Sequence, residues 1–152
     1  MKYPFERLRT RKPVLTLGGI SYRHKPLVWV RLFFGEVAQS VQALLDTGSD
    51  DTVFPGPLAA RLGISLDGLP TASAAGVGGQ PVPFALEKVR LSIHDGVSGC
   101  EWEAMVGFRL DQVNALPLLG QAGCLQFFTS EFRGDTHEVI LAPNSTFPGT
   151  RT

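Results

Sequence analysis

The sequence predicts a mainly β fold, and three observations carry that expectation. Seventeen Gly and eleven Pro punctuate short apolar runs along 152 residues, which is the rhythm of strands separated by turns. Segments such as "EKVRLSI" and "CEWEAMVGF" alternate apolar and polar positions, the period of a half-buried strand. Only "PGPLAARLGI" combines helix start and stop signals with an apolar face.

"PLVWVRLFF" (Pro26 to Phe34) reads as a strand rich in β-branched and aromatic residues. Gly35-Glu36 supplies a turn, and "VAQSVQALLD" returns as the partner strand. Leu44 and Leu45, directly before Asp46, mark a buried strand end. The helix is expected over Pro55 to Ile64, with Pro57 in its first turn and Gly63 as its C-terminal cap. "TASAAGVGGQPVPFAL" predicts a hairpin with its tip at Gly76-Val77-Gly78-Gly79.

In "CEWEAMVGF", Cys100, Trp102, Ala104, Val106 and Phe108 share one face and Glu101 and Glu103 the other. "ALPLLG" is a further apolar strand, expected to run into a short helix at Gln121 to Phe127. "FTSEFRGDTHEVILAP" reads as two strands joined near Gly134-Asp135. The expected organisation is a basic arm and first strand over residues 1–25, a single domain over 26–143, and a flexible tail over 144–152.

Lys plus Arg equals Asp plus Glu at 14 each, so charge gives no reason to expect nucleic acid or an anionic membrane as partner. Basic residues are concentrated in "MKYPFERLRTRK", read as a solvated arm in preference to a docking arm. No segment has the length and apolarity of a membrane span or the apolar core of a signal peptide. Cys100 and Cys124 lack metal-ligand spacing and are read as buried free thiols, which makes the cytoplasm the expected compartment.

His24, His94 and His137 are far apart in sequence and read as surface or turn residues. Trp29 and Trp102 are both expected in the core. Gly18-Gly19 reads as a turn, since no strand-to-helix context with a Lys follows it. Arg133-Gly134-Asp135 likewise reads as a hairpin turn. No metal and no cofactor is expected.

The segment with chemistry to offer is "ALLDTGSDDTVFP", Ala43 to Pro55. Two carboxylates held about 3 Å apart cannot both ionise, so one serves as base and the other as acid. This chain contains one Asp-Thr-Gly; Asp67-Gly68, Asp95-Gly96 and Asp135-Thr136-His137 lack that context. A two-fold homodimer would supply the second Asp46. Thr47 offers a hydroxyl to bond across the axis, and Gly48 allows an N–H to approach the carboxylate closely. Ser49 is expected to donate to the same carboxylate, so Ser49→Ala should move the pH–activity profile upward.

The tripeptide alone is a weak signal, since chance places it in roughly a few per cent of chains this long. It gains weight from the apolar strand before it, the glycine-rich hairpin after it, and "LPLLGQ" further on. With these three in order, the sequence resembles the retropepsin-like aspartic proteases, the single-domain family that includes the retroviral enzymes. "ALLDTGSDDTVF" is similar to their active-site segment, "GVGG" to the tip of their flap, and "LPLLG" to the stretch before their C-terminal helix.

The resemblance covers about Pro26 to Phe127. It implies a retropepsin-like closed β-barrel with a flap hairpin and one or two short helices, acting as an aspartic endopeptidase on polypeptide substrates. It implies Asp46 as the catalytic aspartate and Thr47 as part of a dimer-bridging hydroxyl network. Gly48 would place its carbonyl against substrate. Asp50 and Asp51 would bind substrate main chain and support the dimer, Ser49 would belong to the same substrate-binding set, and Gly76, Val77 and Gly78 would form the flap tip.

Departures from the family pattern are specific. Gln121 stands where the viral enzymes carry an Arg that pairs with the equivalent of Asp50, so Asp50 needs another cation, of which the basic arm is one source. Ser49 replaces an Ala. The C-terminal segment is long enough to form a hairpin within one chain, which leaves the construction of the dimer open. The alternative reading is a non-catalytic module that uses the same fold for dimerisation or peptide binding.

Overall fold

Gly35 and Glu36 turn the chain between β4 (Leu27–Phe34) and β5 (Val37–Leu45), an antiparallel pair running from Leu27 opposite Leu44 to Phe34 opposite Val37. The computed structural model describes residues 1–75, 79–111 and 113–152. Before this pair come β1 (Lys2–Pro4), β2 (Glu6–Val14) and β3 (Ile20–Lys25). After it come β6 (Val53–Phe54), α1 (Gly56–Leu62), β7 (Thr71–Ala75), β8 (Pro81–His94) and β9 (Gly99–Arg109). The chain ends with β10 (Leu118–Leu119), β11 (Phe128–Arg133), β12 (Glu138–Pro143) and β13 (Thr150–Arg151).

The main sheet closes on itself. Its order runs β9, β6, β10, β5, β4, β8, and β8 then pairs with β9 over eleven residue pairs from Phe84–Arg109 to His94–Gly99. Closure removes the free edges of these six strands, while β7 and β13 add outside the ring. The fold is therefore the mainly β closed barrel expected, with one short α-helix among the described residues.

Strand alternation decides what fills it. Cys100, Trp102, Ala104, Val106 and Phe108 of β9 all point inward, joined by Val30 and Leu32 of β4, Leu91 of β8 and Phe54 of β6. Each fully buried Val, Leu or Phe among them contributes about 1.5–3 kcal/mol. The Trp102 indole N–H finds the Gly123 carbonyl at 2.9 Å, so its own donor is satisfied inside. Cys124 is fully buried, and that burial pushes its thiol pKa up to about 12; both cysteines are free.

Helix α1 follows its sequence signals. Pro57 sits in the first turn, Leu58, Ala59 and Leu62 are buried, and Gly63 ends the helix in the left-handed region at φ 77°. Its amide bonds back to the carbonyls of Ala59 and Ala60, the glycine-terminated ending. The helix packs on β5 and β9, behind the strand that delivers Asp46.

Three expectations need correction. Trp29 is 59% exposed, because it is in phase with Arg31 on the outer face of β4, while Val28, Val30 and Leu32 fill the core. No α-helix forms over 121–127. There the Gln121 and Ala122 amides bond back to Ser49 and Asp50, and only Leu125–Phe127 makes a single 3-10 turn. Residues 144–152, read from sequence as a flexible tail, have definite partners. Phe147 packs on Trp102 and Phe128 with ring centroids 6.0 and 5.4 Å away, and β13 pairs with β9. Gly149 passes so close to the Glu101 carbonyl that any Cβ would collide with it.

A three-stranded antiparallel sheet β1–β12–β11 packs beside the barrel through Tyr3, Val139 and Leu141. Strands β2 and β3 form a separate two-stranded hairpin, joined at a turn over Leu15–Leu17. Its base is tied in two ways. Pro26 accepts the Leu45 amide at 3.0 Å, and the His24 ring stacks on His137 at 3.8 Å between centroids. Among the described residues no helix is long and apolar enough to cross a membrane.

Candidate active site

Asp46 follows the last residue of β5 and is held there by β10. Leu118 and Leu119 pair in parallel with Leu44 and Leu45, and the Asp46 amide donates to the Leu119 carbonyl at 3.1 Å. This is the work of "LPLLG": it lies between β5 and β6 and clamps both ends of the Asp-Thr-Gly loop. The loop then turns tightly, with the Ser49 amide on the Asp46 carbonyl at 3.2 Å. The Gly48 amide donates to Asp46 Oδ1 at 3.0 Å.

Gly48 earns its place by proximity, since a Cβ there would lie 3.3 Å from Oδ1. Asp46 is half-buried, whereas Thr47 and Gly48 are exposed. The Ser49 hydroxyl does not reach the Asp46 carboxylate as expected. It donates to the Asp51 carbonyl at 2.8 Å, and a hydroxyl has a single hydrogen to give.

Past Ser49 the chain is zipped to the segment after β10. Gln121 and Ala122 donate to Ser49 and Asp50 at 2.9 and 2.8 Å, and Thr52 donates to Ala122 at 3.0 Å. Gly120 is indispensable to this closeness, because a Cβ there would strike the Asp51 carbonyl. Thr52 was not singled out from sequence. It is 1% exposed, and its hydroxyl oxygen accepts the Gly120 amide at 3.2 Å. The readable signal was a hydroxyl residue flanked by Val53 and Phe54 at the start of a buried strand.

A cleft opens in front of this loop. Asp46, Gly48, Ser49 and Asp50 form its floor. Val53, Phe54, Leu116 and Leu118 form the apolar wall from the barrel. The opposite wall comes from the β7–β8 hairpin, through Ala74, Ala75, Val82 and Phe84. The hairpin arms pair from Thr71–Ala85 to Ala75–Pro81; Gly76, Val77 and Gly78, expected at its tip, lie outside the described residues.

Arg109 lines the rim of the same cleft, a residue the sequence reading passed over. Its guanidinium grips Asp111 with two bonds of 2.9 and 2.5 Å. The pair holds the Asp111 carboxyl below and the Arg109 guanidinium above their ordinary ranges. The signal was the short Arg-x-Asp spacing at a strand end. Asp50 makes no ion pair among the described residues, and the Gln121 side chain instead reaches the Thr47 carbonyl at 3.5 Å. Asp51 pairs through its backbone with Ala122. No group of three or more His, Cys, Asp or Glu side chains able to hold a metal ion occurs among the described residues.

A closed β-barrel with an Asp-Thr-Gly loop clamped at the foot of a hairpin-walled apolar cleft defines a class of protein, and comparison identifies it. The sequence profile of a family described as aspartyl protease matches residues 28–120, and the chain belongs to that family. A solved structure, a retropepsin-like aspartic protease from Rickettsia conorii, is similar with a TM-score of 0.51 and 22% sequence identity. The match covers 93% of this chain and 98% of that one, and it shows the retropepsin-like fold. No curated protein matches in sequence.

Proposed function

We propose that the protein is an aspartic endopeptidase whose catalytic pair is Asp46 and the Asp46 of a second copy. The observation that carries this is the setting of Asp46. Its carboxylate receives the Gly48 amide, lies on the floor of an apolar cleft, and belongs to the single Asp-Thr-Gly of the chain. One carboxylate cannot act as base and acid at once, so a second is required, and two-fold symmetry supplies it in the same setting.

In this reading the substrate enters as an extended strand between floor and hairpin, with apolar side chains against Val53, Phe54, Leu116 and Leu118. A water sits between the two carboxylates. The ionised one takes a proton from the water as its oxygen attacks the scissile carbonyl carbon, and the protonated one gives its proton to the carbonyl oxygen. Collapse of the resulting gem-diol breaks the C–N bond, with a proton delivered to the leaving nitrogen, and no covalent enzyme intermediate forms.

Thr47, exposed beside the axis, supplies the cross-axis hydroxyl, and the Gly48 carbonyl faces substrate main chain. Ser49, Asp50 and Asp51 contact the peptide backbone. Gly76, Val77 and Gly78 cover the bound peptide and exclude bulk water. The catalytic domain in this account takes in the C-terminal residues through Phe147 and β13, and the two free cysteines suit a reducing, cytoplasmic compartment.

A digest of a peptide library at several pH values tests the proposal, comparing the native protein with Asp46→Asn. Removing a general acid–base group should lower cleavage by about 10²–10⁴-fold with the near-UV circular dichroism unchanged. Cleavage retained by the pure variant would mean that the chemistry lies elsewhere, and a native protein that binds peptide without cutting it would make the cleft a peptide-binding module.

A further inference from the structure

The β2–β3 hairpin has a job the barrel does not explain. It spans Glu6 to Lys25, and among the described residues no other strand pairs with either of its edges. A two-stranded hairpin alone in water is marginal, so such an arm requires cover. Leu15 at its tip is 86% exposed and Leu17 48%. Strand β2 buries only its last residue, Val14.

Charge divides the molecule at the same place. Residues 6–25 hold six Lys and Arg against one Glu, whereas the rest of the chain holds eight against thirteen Asp and Glu. A neutral chain is thus a basic arm, net +5, joined to an acidic body, net −5. Arg7, Arg9, Arg11, Lys12, Arg23 and Lys25 form no ion pair with any carboxylate among the described residues. In the body, among the described residues, Lys2, Lys88, Arg90, Arg109 and Arg133 are paired, and Arg31, Arg61 and Arg151 are not.

Position completes the case. The arm springs from Pro26, whose carbonyl takes the amide of Leu45, the residue next to Asp46. Glu6 at the foot of β2 meets the Gln42 side chain of β5 at 3.4 Å. The arm is therefore rooted beside the strand end at which a second Asp46 must be placed. With a rise near 3.3 Å per residue, a nine-residue strand reaches about 30 Å from its base.

We propose that the β2–β3 arm docks on the acidic body of a second copy, so that the reciprocal pair of arms holds the two Asp46 loops together. The inference rests on the dyad reading above and names the surface that builds it. A second copy fits better than a lipid surface. It offers the complementary charge in equal amount, and the cleft is incomplete without it. Asp50, exposed and without an ion pair among the described residues, is one acceptor an incoming arginine would find.

Sedimentation of the full chain tests this, using the native protein, Arg9→Glu/Arg11→Glu, and Leu15→Ser/Leu17→Ser, each checked for native near-UV circular dichroism. The native protein should be a dimer whose dissociation constant rises with salt. Reversing two arm charges should weaken it by at least about tenfold, and the tip variant should weaken it with the salt dependence retained. A charge-reversed protein that dimerises as tightly as the native one overturns the arm proposal while leaving the dyad reading standing. A native protein that stays monomeric at high concentration and cleaves no peptide overturns both. Co-sedimentation with phosphatidylserine vesicles that both variants lose, beside unchanged dimerisation, assigns the arm to lipid and overturns the second copy as its occupant.

Discussion

The Gly48 amide points at Asp46 Oδ1 from 3.0 Å, two residues along the same loop. A backbone N–H so placed stabilises the carboxylate without a side chain that could rotate away. A Cβ at this position would lie 3.3 Å from that oxygen, tighter than an ordinary contact, so the carboxylate would have to give. Gly48→Ala should therefore leave the barrel folded and displace the carboxylate by a few tenths of an ångström. Cleavage should fall by roughly 10–100-fold through lost alignment. Steady-state kinetics on a peptide substrate checks this, and an unchanged kcat would show that the amide contact is dispensable.

Ser49→Ala should show first as a loss of stability. The hydroxyl is committed to the Asp51 carbonyl at 2.8 Å, so its loss should cost about 1 kcal/mol in denaturant unfolding. The pH–activity profile should stay where it is. A shifted profile would restore the direct bond to Asp46 that the residue order suggested.

Thr52→Val removes the one oxygen that accepts the Gly120 amide and preserves the shape of the side chain. Leaving that buried N–H unpaired should cost about 1–3 kcal/mol. Gly120→Ala should be worse, because its Cβ meets backbone at Asp51 with no flexible group to yield. A loss above about 4 kcal/mol, or failure to fold, is expected. Equilibrium unfolding in urea distinguishes the two, and a mild Gly120→Ala would mean that the clamp has slack.

His24 provides a pH prediction for the arm. Burial lowers its pKa from the ordinary value of 6.5, with the neighbouring His137 and Arg7 acting in the same direction. The Tyr22 ring packs edge-on at 5.4 Å and Arg7 lies over that ring at 3.9 Å. A depressed histidine pKa means that the undocked form binds more protons than the docked one. The attachment of the arm is then strongest above pH 6.5 and weakens as pH falls from there through the lowered value. An NMR titration should give His24 a pKa below 6.5, and hydrogen exchange at the arm base should quicken at acid pH. A pKa at or above 6.5 would contradict the stacked arrangement.

What the residues disclosed in advance was what local pattern controls. The β9 alternation named five buried side chains correctly, because period two is a property of a single strand. The Asp-Thr-Gly loop, its hairpin and "LPLLG" were legible as a set because their order along the chain mirrors their meeting in space. Trp29 was misread because apolar neighbours on both sides hide the strand phase, which Arg31 alone reveals. The helix over 121–127 failed for a tertiary reason: its amides are drawn to Ser49 and Asp50 across the loop. Residues 144–152 look polar and loose in sequence, and their order comes from β9 and Trp102 far upstream. Nor does spacing show that His24 and His137, over a hundred positions apart, stack on each other.

The central claim is that one active site needs Asp46 from two chains, and mixing native protein with Asp46→Asn under exchange conditions tests it most directly. If both carboxylates are required, total activity follows the square of the native fraction, so an equal mixture retains about one quarter of the activity of the same total amount of native protein. Activity that falls only in proportion to the native fraction would contradict the account, because each native chain would then be cleaving peptide by itself.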